Sequence, residues 1–129
     1  MVRAFDDTLG RCVFVFGSNL AGRHGKGAAV YALKNYGAVY GQCEGLQGDS
    51  YALPTKDADL RPLSLPEIVT HVKKFLEFAD SRRDLLFRLT PIGTGLAGHS
   101  KQDILRILYA LEVPENVVLT REWIRDYDY

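Results

Sequence analysis

Cys12-Val13-Phe14-Val15-Phe16 runs into Gly17-Ser18-Asn19-Leu20-Ala21-Gly22-Arg23-His24-Gly25-Lys26, and then into Gly27-Ala28-Ala29. The first five residues are continuously apolar, β-branched or aromatic. A run of that kind is predicted to be a strand buried on both faces, ended here by Gly17. Residues 27–36 place Ala28, Ala29, Ala32 and Leu33 at helical spacing, with Gly37 as a stop. The stretch therefore reads as a central strand, a Gly-rich loop and a helix, the opening unit of an α/β sheet.

The rest of the chain repeats that alternation. Residues 41–49 form a Gly-spaced connection, followed by a short strand, Tyr51-Ala52-Leu53, closed by Pro54-Thr55-Lys56. Ser64 and Glu67 have capping-box spacing and Pro66 suits an early helical position. The helix they open runs to about Ala79, with Ile68, Val72, Phe75, Leu76 and Ala79 as its apolar stripe. Leu85-Leu86-Phe87-Arg88-Leu89 is the next strand. Ser100 and Asp103 open a further helix bearing Ile104, Leu105, Leu108 and Leu111, and Asn116-Val117-Val118-Leu119 is the last strand. The tail from Trp123 to Tyr129 reads as a helical turn or an ordered extension. Strand–helix alternation predicts a mixed or parallel sheet with helices on both faces.

Bulk composition narrows the function. The 129 residues suit one domain, and 47% hydrophobic with 25% charged residues is ordinary for a globular protein. Sixteen basic and sixteen acidic residues cancel to a net charge of +0, which argues against broad charge-driven binding to nucleic acid or anionic membrane. Cys12 reads as core and Cys43 as part of a polar stretch. Neither has metal-ligand spacing or belongs to a secreted disulfide framework, so a reducing cytoplasm is the expected compartment. No apolar run approaches the ~18 residues of a membrane helix, and residues 1–10 carry no signal core.

Two Gly-rich loops fall at strand ends that lead into helices, where α/β sheets bind ligands. Gly93-Thr94-Gly95-Leu96-Ala97-Gly98 has the G-x-G-x-x-G form, which lets successive N–H groups face an anion. It follows the third strand rather than the first, unlike a dinucleotide-binding Rossmann loop, and no G-K-[ST] makes it a Walker loop. The alternative is a tight turn needing glycine for shape alone. Gly22-Arg23-His24-Gly25-Lys26-Gly27 adds Arg23 and Lys26, either phosphate partners or solvated loop charges. Asn19 is either a partner for a sugar hydroxyl or a turn residue capping the strand. His24 is either an acid–base group or an inert loop histidine. His99 reads as inert, and His71 as lying on a solvated helix face.

On these segments the chain resembles a macrodomain, the fold that binds ADP-ribose. The similarity spans roughly residues 13–119 and implies a single macrodomain-like domain over 1–129, a three-layer α/β/α sandwich with a mixed sheet. Val15-Phe16-Gly17-Ser18-Asn19 is similar to the strand ending in the family's ribose-side asparagine. Arg23-His24-Gly25-Lys26-Gly27-Ala28-Ala29 resembles its first ligand loop. Tyr51-Ala52-Leu53-Pro54-Thr55-Lys56 resembles the following strand and turn. Pro91-Ile92-Gly93-Thr94-Gly95-Leu96-Ala97-Gly98 resembles the diphosphate loop. The chain is also similar to phage and bacterial proteins of this length.

The resemblance implies ADP-ribose or a related NAD-derived nucleotide as ligand, with no cofactor and no metal. Its nearest branch removes terminal ADP-ribose from glutamate or from nucleic-acid bases, so nucleic acid enters only as an ADP-ribosylated substrate. That branch uses a lysine where this chain has Lys56, whose amine would attack the anomeric carbon. A carboxylate must also move protons, and Asp49, Asp57 and Asp59 are the loop acids considered for it. Three positions depart from the pattern. Ala97 and Lys26 stand where hydrolytic relatives have aspartates, and the G-D-[IV] segment that binds adenine is missing. The second reading is a non-catalytic, phage-associated or host-interaction module on the same scaffold, with the aromatic tail as a partner surface.

Overall fold

The computed structural model describes residues 3–4 and 11–124. Six strands form one sheet: β1 (Arg3–Ala4), β2 (Arg11–Asn19), β3 (Gly45–Gln47), β4 (Ser50–Lys56), β5 (Leu85–Leu89) and β6 (Val117–Leu119). Their order is β1-β6-β5-β2-β4-β3, parallel throughout except for the antiparallel β3–β4 pair. Three helices connect them: α1 (Gly27–Asn35), α2 (Leu65–Ser81) and α3 (Lys101–Ala110). The mixed α/β sandwich expected from the sequence is the fold observed.

Alternation along β2 builds two cores. Val13 and Val15 face α2 and α3, packing with Leu53, Phe75, Phe87, Ile104 and Leu108. Phe14 and Phe16 face the other way, onto Ala29 and Ala32 of α1 and Ala52 of β4. Both sets are buried, as the continuous apolar run requires. Helix α2 starts at a complete capping box between Ser64 and Glu67. At α3, Ser100 Oγ accepts from the Asp103 N–H at 3.1 Å.

Several boundaries differ from the sequence expectation, each for a physical reason. Gly17 does not end β2, which continues to Asn19. A Cβ on Gly17 would lie 3.2 Å from Thr55 Oγ1 and 3.5 Å from the Gly93 nitrogen, so the glycine permits close approach rather than stopping the strand. Pro54 does not close β4 either, because the strand runs through it to Lys56. Its antiparallel neighbour β3 pairs only as far as Ala52, so Pro54 lies on a free edge where its missing N–H costs nothing. The Gly-spaced connection contains β3, too short to show a period of its own. Cys12, expected in the core, is only half-buried near the start of β2. Trp123 closes the described chain in a short 3-10 turn, with Nε1 donating to Leu89 O at 2.7 Å. The remaining tail, residues 125–129, lies outside the described residues, as do residues 1–2 and 5–10.

Candidate functional site

The chain leaves β2 for β4 on one side and reaches β5 on the other, so the sheet switches direction at β2. In open α/β sheets the crevice at such a point, at the carboxyl ends of the strands, is the ligand site. A cleft of about 790 Å³ opens there. It is lined by Gly17 and Asn19 from β2, Thr55 and Lys56 from β4, and the loops that follow β2 and β5.

The loop after β5 forms one wall. Gly93 has φ +75°, and an added Cβ would meet Ile104 and Ile68 at 3.5 and 3.6 Å, so the loop is pressed onto α2 and α3. Thr94 N–H donates to Pro91 O at 3.3 Å, Gly98 N–H to Gly95 O at 3.0 Å and His99 N–H to Gly93 O at 2.9 Å. Those bonds close the turn. The N–H groups of Gly95, Leu96 and Ala97, all on the cleft, have no protein acceptor among the described residues.

The loop after β2 forms the other wall and carries charge. Gly25, Lys26, Gly27, Ala28 and Ala29 line the cleft, which places the N-terminus of α1 against it. Helices α2 and α3 each have a serine cap, whereas α1 has Lys26 at the N-cap, no side-chain cap and no acidic residue in its first turn. Its first N–H groups and its positive dipole end are left for an anion. Among the described residues, Arg23, Lys26, Lys56 and Lys101 also line the cleft, against one carboxylate, Glu122. The described lining is cationic in a chain of net charge +0.

Of the two readings of Asn19, the bonds it makes match the turn residue that caps the strand. Its Nδ2 donates to Arg23 O at 2.8 Å, and its Oδ1 accepts from the Arg23 N–H at 3.0 Å. Both ends of the amide pin the charged loop. Gly22, at φ +70°, tightens the same loop, because a Cβ there would meet the Gly41 backbone at 2.5 Å. The register of β2 against β4 shifts between Ser18 and Asn19, making Thr55 the extra residue and setting Asn19 opposite Lys56.

Most sequence-predicted residues meet here: Gly17, Asn19, Arg23, Gly25, Lys26, Gly27, Lys56, Gly93, Thr94, Gly95, Leu96 and Ala97 all line the cleft. Three do not. Ser18 is buried and donates its hydroxyl to Cys43 O. Gly98 belongs to the turn closure. His24 is fully buried, edge-on to Phe16 at 5.1 Å, with Nε2 at 3.1 Å from Gln42 O and 3.2 Å from Gln47 Oε1. It braces residues 42–47 beneath the loop and does not face the cleft, which removes it as an acid–base group. His99 Nε2 donates to Leu63 O at 2.8 Å, tying loop to loop. His71 is not free on a solvated face, because its Nδ1 lies 2.7 Å from Glu44 Oε2.

The loop acids also fall elsewhere. Asp49 pairs with Arg11 at 2.7 Å, and Asp57 Oδ1 caps its own turn by accepting from the Asp59 and Arg61 N–H groups. Tyr40, Leu60, Thr90, Lys101 and Glu122 line the cleft without a motif to announce them. Only Lys101 had a local signal, as the first residue after a serine cap.

No family model matches the chain, and no curated protein does. Two solved structures are similar. The macrodomain of Mycobacterium tuberculosis DarG superposes with a TM-score of 0.63 at 18% identity, covering 93% of this chain and 97% of that one. The chain has a macrodomain fold. A Bacteroides thetaiotaomicron protein of unknown function is equally similar, with a TM-score of 0.64, 18% identity, and 93% and 94% coverage. At this identity the shared property is the macrodomain fold alone. No helix among the described residues is long and apolar enough to cross a membrane.

Proposed function

We propose that this macrodomain-fold protein binds ADP-ribose or a related NAD-derived nucleotide, with the diphosphate held between the two Gly-rich loops. One observation carries the reading. Residues 95–97, whose backbone N–H groups have no protein acceptor among the described residues, line the same cleft as an uncapped helix N-terminus flanked by Arg23 and Lys26. Phosphate oxygens suit both walls at once. Neighbouring strand ends lie about 4.8 Å apart, so β4 and β6 are about 14 Å apart across the cleft mouth. That span suits an extended nucleotide diphosphate, with its terminal sugar toward Lys56.

Lys56 is the candidate nucleophile for removing ADP-ribose from a modified macromolecule. With the ribose C1–O4 bond opened and a proton taken up by O4, an amine there adds to C1, the attached group leaves with a proton to give an imine, and water cleaves that imine to the free sugar and the amine. Each departure needs a proton donor. Glu122, the carboxylate on the cleft, belongs to the opposite end of that span, and Asp57 is committed to its turn. The arrangement therefore supports binding more directly than turnover.

Calorimetry against ADP-ribose, NAD and ATP tests the binding reading, and no heat with any of them at millimolar ligand would end it. Borohydride trapping of an ADP-ribose adduct, lost in Lys56→Ala, tests the nucleophile. The non-catalytic module predicts instead that Gly95→Val changes stability and nothing else.

A further inference from the structure

The turn beside Lys56 holds a residue type its backbone does not favour. Asp57 N–H donates to Arg61 O at 2.8 Å and Leu60 N–H donates to Asp57 O at 3.1 Å. Lys56 and Pro62 then pair antiparallel. This is a hairpin with a three-residue loop, 58–60, whose last position takes the left-handed conformation and usually holds glycine. Here it holds Leu60 at φ +64°, the one described non-glycine residue with positive φ.

A strained backbone is ordinarily repaid by burial of the side chain. Leu60 is 41% exposed and belongs to neither core cluster. Its side chain instead lines the cleft, in the same wall as Lys56. A glycine would relax the turn, so what the leucine adds is an apolar surface on the cleft. Outliers of this kind gather at ligand clamps.

We propose that Leu60 is a specificity residue that packs on the C–H face of the terminal sugar and selects ligands carrying that sugar over the bare nucleoside diphosphate. This rests on the nucleotide reading above. The diphosphate sits between the β2 and β5 loops, so a group beyond it on the β4 side lies against Leu60 and Lys56. The ribose face opposite the 2- and 3-hydroxyls presents the carbon-bound hydrogens of C2 and C3, which an isobutyl group covers without leaving those hydroxyls unpaired. A bare diphosphate ends before reaching Leu60.

The test is calorimetry with ADP-ribose and with ADP on the full chain, for wild type, Leu60→Gly, Leu60→Asn and Leu60→Met. Glycine and asparagine both tolerate the left-handed conformation, so these two variants should melt at or above the wild-type temperature. They should bind ADP-ribose about tenfold more weakly, the loss expected for an uncovered leucine contact. ADP affinity should stay within about twofold, and Leu60→Met should hold ADP-ribose nearly as wild type does. Equal weakening for both nucleotides, no weakening for either, or a fall in melting temperature would overturn the assignment. Wild type binding neither nucleotide would remove the nucleotide reading as well. Wild type binding both, with Leu60→Gly unchanged, would remove only the role of Leu60.

Discussion

Asn19 and Lys56 stand opposite each other across the β2–β4 ladder, brought there by a one-residue slip at Thr55. Without the slip, Asn19 would face Thr55 and Lys56 would lie beyond the ladder. The bulge thus joins the residue that pins the charged loop to the amine at the cleft's end. Leu20 N–H, donating to Lys56 O at 3.0 Å, holds the pair after the ladder stops.

Asn19→Ala strips two partners from the Arg23 backbone. Each bond is part-buried, where a net hydrogen bond is worth about 0.5–1.5 kcal/mol. The variant should unfold at lower denaturant with an unchanged m-value, and should lose nucleotide affinity because Arg23 and Lys26 are no longer held in place. Unaltered affinity would show that Asn19 does not organise the loop.

Arg23→Ala and Lys26→Ala should behave in the opposite way. Both side chains are exposed and make no ion pair among the described residues. Thermal stability should stay within about 0.5 kcal/mol of wild type, as for ordinary surface changes. Binding of ADP-ribose should weaken by about tenfold each, the worth of a charge-assisted hydrogen bond. The dependence of affinity on salt should also flatten.

Gly22→Ala should damage fold and site together. A left-handed alanine costs about 1–2 kcal/mol by itself. Overlap with the Gly41 backbone at 2.5 Å adds to it. The expected result is a lower melting temperature and a displaced loop, visible as amide shifts spreading through residues 20–27 and 39–43.

Helix α2 should lose the Glu67 half of its capping box in acid, while the Ser64 hydroxyl keeps its bond from the Glu67 N–H. Hydrogen bonds from the Ser64 backbone N–H and hydroxyl hold the Glu67 carboxyl below its ordinary pKa. A carboxyl lowered in the folded state adds stability above its unfolded pKa and loses it as pH falls through the folded value. The stability gap between wild type and Glu67→Ala should therefore be full at neutral pH and close below the usual glutamate range. Ser64→Ala should cost about 1 kcal/mol at neutral pH, the usual worth of an N-cap.

What the sequence determined by itself is what neighbouring residues dictate. The apolar run at Val13 to Phe16 demands a doubly covered strand. Ser64 with Glu67 starts a helix wherever the segment is placed, and the glycines at 93–98 leave a backbone able to present N–H groups. Those features carried the α/β order and both Gly-rich loops. Tertiary structure alone decided what long-range contacts choose. His24 looks like a cleft residue in its Arg-Gly-Lys setting, yet it fills a buried space under Phe16 that Gln42 and Gln47 complete. Asn19 spends its amide on Arg23, and Glu122 reaches the cleft from a turn anchored by Trp123 on Leu89. Leu60 gives no periodic or motif signal, because its meaning lies in a backbone angle set by Asp57 and in a cleft wall assembled from separate strands. Local propensity acts over a few residues, whereas the orientation of a side chain at a strand end is set by partners tens of residues away.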